Sequence, residues 1–274
     1  MQKLALDEEI LMQVEQPARY IGGEINSVKK DPDQVKIRFA MCFPDVYEIG
    51  MSHLGIQILY SMFNRREDVY CERVFSPWTD LDRILREKQI PLFTLESQRP
   101  VKECDFLGIT LQYEMCYTNI LQVLELSQIP LRAADRRDGD PIVIGGGPCT
   151  YNPEPIAPFF DLFYMGEGEV VYDELLDLYR EHKEAGGDRA SFLKKVASLP
   201  GIYVPAFYEP EYHEDGTLAA FKPLCPEAPV KVRRLVMSVL DRADFIDNPL
   251  VPFIRVTQDR SVLELMRGCI RGCR

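Results

Sequence analysis

The stretch VKIRFAMCFPDVYEIGMSHLGIQILYSMFNRRED, residues 35–68, decides the fold class. Its first part, VKIRFAMCFPD, is typical of a strand that runs into a loop. In the second part, Ser52 is a plausible N-cap of a helix, and the apolar residues after it recur at helical spacing. These apolar residues are Leu54, Ile58, Leu59, Met62 and Phe63. The stretch therefore predicts one strand followed by one helix.

This pattern of a strand followed by a helix recurs along the chain in segments of similar length. Strand-like segments precede helical ones at 69–76 and 79–89, at 104–112 and 117–129, and at 161–166 and 169–187, with a further strand at 141–148. Alternating strands and helices of these lengths are typical of a parallel sheet with helices on both faces. The sequence therefore predicts an α/β fold with a Rossmann-like, doubly wound, mostly parallel sheet.

Changes in the pattern of helical, strand-like and irregular segments along the chain predict four regions. Residues 1–35 form an N-terminal helix and arm, 36–186 the Rossmann-like domain, 187–254 a small β-containing connector, and 255–274 a terminal segment. Within the connector, the dipeptide Asp215-Gly216 suits the type I′ turn of a β-hairpin.

Composition excludes several classes of function. The net charge of −11 argues against a nucleic acid or an anionic membrane as the main partner, because phosphate binding needs a basic surface. Apolar runs stay well short of a bilayer span, and Asp7-Glu8-Glu9 interrupts any signal peptide, so we predict a cytoplasmic protein. The eight cysteines are scattered through a large chain, which favours reduced thiols over a disulfide framework.

Three loops at the predicted carboxyl ends of strands carry the candidate cofactor-binding residues, because ligands bind at this edge of a parallel sheet. The candidates are Asp45, Tyr47 and Gly50 in the first loop, Gly145, Gly146, Gly147 and Pro148 in the second, and Gly166, Glu167, Gly168 and Glu169 in the third. The glycines either form tight turns or allow a nucleotide-like group to approach the backbone. The carboxylates are either stabilised at a helix N-terminus by the helix dipole or accept hydrogen bonds from a ligand.

The phrase GGGP…PE, the spacing Asp-x4-Gly-Glu-Gly-Glu and the final RGCIRGCR (267–274) together resemble a known family. The first two resemble the cobalamin-binding-like N-terminal domain of cobalamin-dependent radical S-adenosylmethionine (SAM) proteins. The last is similar to the beginning of their cluster signature, Cys-x3-Cys-x2-Cys. The resemblance covers residues 36–186 and 255–274.

The resemblance implies that Cys269 and Cys273 are ligands of a 4Fe-4S cluster whose open iron binds SAM. The third cysteine of the signature would stand two residues beyond Arg274, so the chain is expected to be a fragment. RSVLELMRGC (260–269) would then be the first strand of a missing radical SAM barrel, which is the expected partner in the same polypeptide. By itself the fragment is expected to hold no stable cluster and to cleave no SAM.

Cobalamin is a candidate cofactor, with one departure from the family's pattern. Asp45-x-Tyr47-x-x-Gly50 invites comparison with Asp-x-His-x-x-Gly, but a neutral phenol does not replace imidazole on cobalt, and His53 lies six residues further on. Two alternatives stay open: a cobalamin-free structural or substrate-docking module, and a free-standing nucleotide-binding enzyme. The second is disfavoured because no Gly-x-Gly-x-x-Gly follows a first strand.

Overall fold

A six-stranded sheet forms the centre of the molecule, whose computed structural model describes residues 4–260 and 262–272. Its strands are β1 (Ile37–Phe43), β2 (Val69–Phe75), β3 (Phe106–Thr110), β4 (Ile142–Gly146), β5 (Leu162–Tyr164) and β6 (Ile202–Tyr203), in the order β2-β1-β3-β4-β5-β6. The first five strands are parallel, and β6 is antiparallel to β5. The predicted Rossmann-like, mostly parallel sheet is confirmed.

Helices cover both faces of this sheet. The helices are α1 (Glu8–Leu11), α2 (Tyr47–Gly50), α3 (Leu54–Arg65), α4 (Thr79–Lys88), α5 (Tyr117–Leu126), α6 (Tyr172–Glu184) and α7 (Arg189–Val196). Apolar residues of α3, α6 and α7 join one hydrophobic cluster, and those of α4 and α5 join the other. Among the described residues, none of these helices has the length and apolar character needed to cross a bilayer.

Strand β1 is buried on both faces, and its alternating side chains divide between the two clusters. Phe39 packs in the cluster under α3, whereas Ala40 packs in the opposite one. Gly108 on the neighbouring β3 leaves room for Phe39, because a Cβ there would lie 2.5 Å from the Phe39 ring. The sheet thus brings its parallel strands to one common carboxyl edge.

Two helix starts differ from the sequence-based prediction. The N-cap of α3 is His53, whose side chain accepts a hydrogen bond from the Ile56 N–H, while the Ser52 hydroxyl donates to the Glu48 carbonyl. A 3-10 turn precedes α6, so this helix begins at Tyr172. Glu167 and Glu169 therefore lie in the loop before α6 and not in its first turn.

The chain after residue 186 first completes the sheet and then becomes irregular. Strand β6 pairs with β5, and β7 (Tyr208–Tyr212) and β8 (Leu218–Pro223) form an antiparallel hairpin around Asp215-Gly216. The predicted barrel strand over 260–269 is not formed in the described part of that stretch. A strand needs a neighbour to pair its backbone groups, and these residues have none in the sheet.

A fully buried arginine ties the N-terminal arm to the sheet. Arg73 on β2 is 1% exposed and forms ion pairs with Glu24 and Glu96, at 2.5 Å each. The Tyr47 hydroxyl donates to the Glu24 carboxylate at 2.8 Å. Buried charges are stable only when paired and hydrogen-bonded, so this network holds the arm in place.

Candidate functional site

The strand order places a crevice between β1 and β3. From β1 the chain steps to β2 on one side of the sheet and later crosses to β3 on the other side, which is where doubly wound sheets bind ligands. A cavity of about 620 Å³ lies at this position and is lined by residues of β1, β3 and β4 together with the N-terminal part of α3. The fold itself therefore provides a candidate ligand site.

Much of the cavity wall is apolar and rich in glycine. Met41, Ile58 and Ile109 provide apolar surface, and Gly146 provides surface without a side chain. A Cβ on Gly146 would meet no atom within 4 Å, so the space beside this glycine is open. Smooth walls of this kind suit a planar group.

Thr110 places an unsatisfied hydroxyl on the cavity wall. It ends β3 and is only 8% exposed, and its Oγ1 has no hydrogen-bond partner within the described part of the chain. A buried hydroxyl without a partner costs free energy. The Oγ1 atom has almost no accessible surface, so this hydroxyl lies within the cavity wall and not at its surface.

The His53 imidazole lies at the cavity, where it also hydrogen-bonds to the side chain of Gln112. Its Nδ1 accepts the Ile56 N–H at 3.3 Å, so the proton of a neutral ring lies on Nε2. Burial lowers the pKa of His53, which keeps the ring neutral at pH 7. Since neither nitrogen of this tautomer has a free lone pair, His53 does not present a metal ligand in this conformation.

Replacing Thr110 by valine is expected to leave the free energy of unfolding unchanged or to raise it by about 1 kcal/mol, because the buried hydroxyl lacks a partner. Thr94→Val is the matched control. The Thr94 hydroxyl is also buried but donates to Glu72 at 2.7 Å, so its loss is expected to cost about 1–3 kcal/mol. Urea unfolding of both variants tests this, and equal losses would show that Thr110 already has a partner.

The first predicted loop lies away from the cavity. Tyr47 is 1% exposed and packs in the core, where its hydroxyl is bonded to Glu24. Burial raises the pKa of Tyr47 far above its ordinary value, so it stays a neutral phenol. Asp45 accepts a hydrogen bond from the Tyr113 hydroxyl at 2.9 Å, and a Cβ on Gly50 would lie 2.2 Å from the Phe75 ring.

The other two loops meet at the cavity. Of their residues, Gly146, Gly147, Pro148, Gly166, Glu167, Gly168 and Glu169 line it. Gly145 is outside the lining and faces the sheet neighbours, because a Cβ there would lie 2.6 Å from Phe163. The structure thus brings Gly146 and Glu167 together at the cavity, whereas Tyr47 is buried in the hydrophobic core.

An arginine near the end of the chain joins the acidic loop. The Arg267 guanidinium forms ion pairs with Glu169 at 2.6 Å, Glu264 at 2.8 Å and Glu167 at 3.4 Å. Glu264, Met266, Arg267 and Gly268 also line the cavity, so this segment forms part of its wall. Sequence analysis missed Thr110 and Arg267, although Arg267 stands two residues before the Cys269 that it did select.

Cys269 is exposed and free, and its Sγ accepts a hydrogen bond from the Arg271 N–H at 3.4 Å. An accessible thiol with a backbone N–H directed at sulfur suits a cluster thiolate. Cys273 lies outside the described residues. The described part of the chain has no group of three His, Cys, Asp or Glu side chains placed to hold a metal ion.

Comparison with known proteins gives one family. A family model described as the N-terminal part of radical SAM proteins matches residues 55–205. The chain is also 27% identical over 159 residues to an uncharacterized protein of Methanocaldococcus jannaschii, a stretch that covers 57% of this chain and 29% of that protein. The chain thus spans less than a third of the length of that relative, and no solved structure matches it. Since the model covers more than half of the 274 residues, the chain belongs to the family of radical SAM N-terminal domains.

Proposed function

We propose that this chain is the N-terminal part of a radical SAM enzyme and that its Rossmann-like domain binds cobalamin, with the nucleotide tail in the cavity at the β1–β3 crevice. The observation that carries the proposal is this cavity, with its apolar, glycine-rich walls. Such walls suit a planar heteroaromatic group, such as the end of a nucleotide tail.

Cobalamin would bind here without a protein histidine on cobalt. Tyr47 stands where the family's pattern has histidine, but it is buried and bonded to Glu24. His53 is the nearby imidazole, but its Nδ1 caps α3 and its side chain also hydrogen-bonds to Gln112. The domain would therefore contribute binding and orientation and leave the coordination of cobalt to other groups.

Cys269 and Cys273 are the proposed ligands of a 4Fe-4S cluster that also binds SAM. Cys269 has the required access, and thiolates are the ligands that such clusters use. When bound, the cluster supplies the electron for reductive cleavage of SAM. This chain's own residues would hold the segment that carries the cysteines and close the cavity beside it.

Gly146→Val tests cobalamin binding by filling the cavity. Gly146 ends β4, its φ is not positive, and a side chain there extends into open space, so the variant should fold normally. Overlap with a bound ligand costs about 1–3 kcal/mol, which is about a 5-fold to 150-fold loss of affinity. The measurement is the visible spectrum after incubation with hydroxocobalamin and desalting.

Gly139→Val is the control, since Gly139 is exposed, also has open space at its Cβ and lies outside the cavity lining. We expect the wild type and the control to retain cobalamin and Gly146→Val to lose it. If the wild type retains none, the second candidate stands, a cobalamin-free docking module. The burial of Tyr47 in the histidine position is the observation that favours this alternative.

A further inference from the structure

We propose that Glu167 and Glu169 are positioning residues that hold the cluster-binding segment against the Rossmann-like domain through Arg267. This inference rests on the proposed role of Cys269 as a cluster ligand. The acidic loop then binds another segment of the same chain. Neither a ligand contact nor a helix dipole is needed to explain its carboxylates.

The contact is a carboxylate clamp on one guanidinium. Arg267 Nη2 donates to Glu169 Oε1 at 2.6 Å, and its Nη1 lies 3.4 Å from Glu167 Oε2. The third carboxylate, Glu264, belongs to the same segment as Arg267 and pairs with it locally. Within the part of the chain that the structure describes, Glu167 and Glu169 are the two residues of the domain that form ion pairs with Arg267.

The loop that carries the clamp is itself fixed. Tyr164 donates its hydroxyl to the Glu167 and Gly168 carbonyls at 3.1 and 3.2 Å. The Glu167 carboxylate also accepts the Met237 N–H at 2.5 Å, and the Glu167 N–H donates to the Leu235 carbonyl at 3.0 Å. A group held by this many bonds can define the position of its partner.

Packing does little to fix the segment that the clamp holds. Leu263 and Leu265 are each 85% exposed, so apolar burial does not anchor them. The preceding attachment is at Gln258, whose N–H donates to the Ser52 hydroxyl at 2.9 Å. Cys269 is two residues beyond Arg267, and two residues span at most about 7 Å, so the clamp restricts where its thiol can lie.

The charges explain why the cation is needed. Glu167, Glu169 and Glu264 all lie within ion-pairing distance of Arg267, and without the cation these carboxylates would repel one another. Loss of Arg267 should therefore release the segment and open one wall of the cavity. Loss of Glu264 alone should not, since the two carboxylates of the domain remain.

Trypsin cleavage after Arg267 measures the clamp directly, because the protease must take this guanidinium into its own pocket. In the double variant Glu167→Gln/Glu169→Gln, cleavage after Arg267 is expected to be about tenfold faster than in the wild type, while cleavage after Arg271 is unchanged. Glu211→Gln is the control, since it weakens a distant exposed ion pair with Lys222. The variant Glu169→Arg/Arg267→Glu exchanges the two charges and so keeps an ion pair. Its segment around residue 267 should exchange amide hydrogens more slowly than that of the double glutamine variant.

A second measurement uses the protein that carries the complete Cys-x3-Cys-x2-Cys signature. After anaerobic reconstitution, the clamp variants should bind as much iron as the wild type, but the change in the cluster's electron paramagnetic resonance on adding SAM should need about tenfold more SAM. A wild type that takes up no iron would overturn the proposed function. If the wild type takes up iron and the clamp variants match it in trypsin cleavage and in the resonance response to SAM, only the proposed clamp is overturned.

Discussion

Replacing Arg73 by methionine is expected to lower the free energy of unfolding by about 3–5 kcal/mol, because it leaves two buried carboxylates without their cation. Arg73 donates from Nε to Glu96 and from Nη2 to Glu24, and the side chains of both glutamates are fully buried. Methionine keeps much of the apolar stem of arginine. The decrease in the free energy of unfolding therefore comes mainly from the missing charge and not from an empty cavity. Urea unfolding at pH 8 measures it.

The pH dependence of this loss has a definite sign. Burial raises the pKa of Glu96 above its ordinary value against the opposing effect of Arg73. Burial alone would also raise the pKa of Glu24, but Arg73 lowers it below its ordinary value. Without Arg73 both pKa values should rise, so the folded variant binds more protons than the unfolded chain.

Stability of the variant should therefore be greatest below the ordinary glutamate pKa and fall as pH rises through the raised folded pKa values. The loss relative to wild type should be smaller at pH 5.5 than at pH 8. Arg83→Met is the control, since Arg83 and Glu87 form an exposed pair and the change should be below about 0.5 kcal/mol. A loss under about 1 kcal/mol for Arg73→Met at pH 8 would contradict the role assigned to the network.

The fold could be predicted from the sequence to the extent that it depends on local periodicity. The segment 35–68 gave a strand and a helix at their observed places, β1 and α3, because buried faces leave apolar residues at regular spacing. The two-residue strand β6 has no such signal, since it exists only by pairing with β5. The unpaired residues 262–272 show the converse, because a strand-like sequence forms no strand without a neighbour.

The candidate site was predictable at the level of loops but not of side chains. Parallel topology fixes which loops reach the carboxyl edge, so Gly146 and Glu167 could be placed there from sequence. Whether Tyr47 faces the ligand or the core depends on its bond to Glu24, which is 23 residues away in the chain. The pairing of Glu169 with Arg267 likewise joins residues 98 apart. Contacts of this range leave no pattern in one sequence.

Gly166→Ala is expected to lower the free energy of unfolding by about 3 kcal/mol or more, because it combines backbone strain with overlap of main-chain atoms. Gly166 has φ +118°, and a Cβ there would lie 2.2 Å from the Leu235 carbonyl oxygen. The Leu235 backbone cannot move away freely, because it is hydrogen-bonded on both sides of Gly166. Its N–H donates to the Met165 carbonyl at 2.9 Å, and its carbonyl accepts the Glu167 N–H at 3.0 Å.

Gly216→Ala separates the two causes. Gly216 lies in the hairpin turn with φ +81°, but a Cβ there would meet no atom within 4 Å, so the variant should lose only about 1–2 kcal/mol from strain. The excess loss in Gly166→Ala then measures the close approach of the acidic loop to Leu235. Because this loop carries Glu167 and Glu169, Gly166→Ala should also speed trypsin cleavage after Arg267, whereas Gly216→Ala should not. Equal losses of stability in the two variants, with equal cleavage after Arg267, would show that the contact with Leu235 does not hold the loop in place.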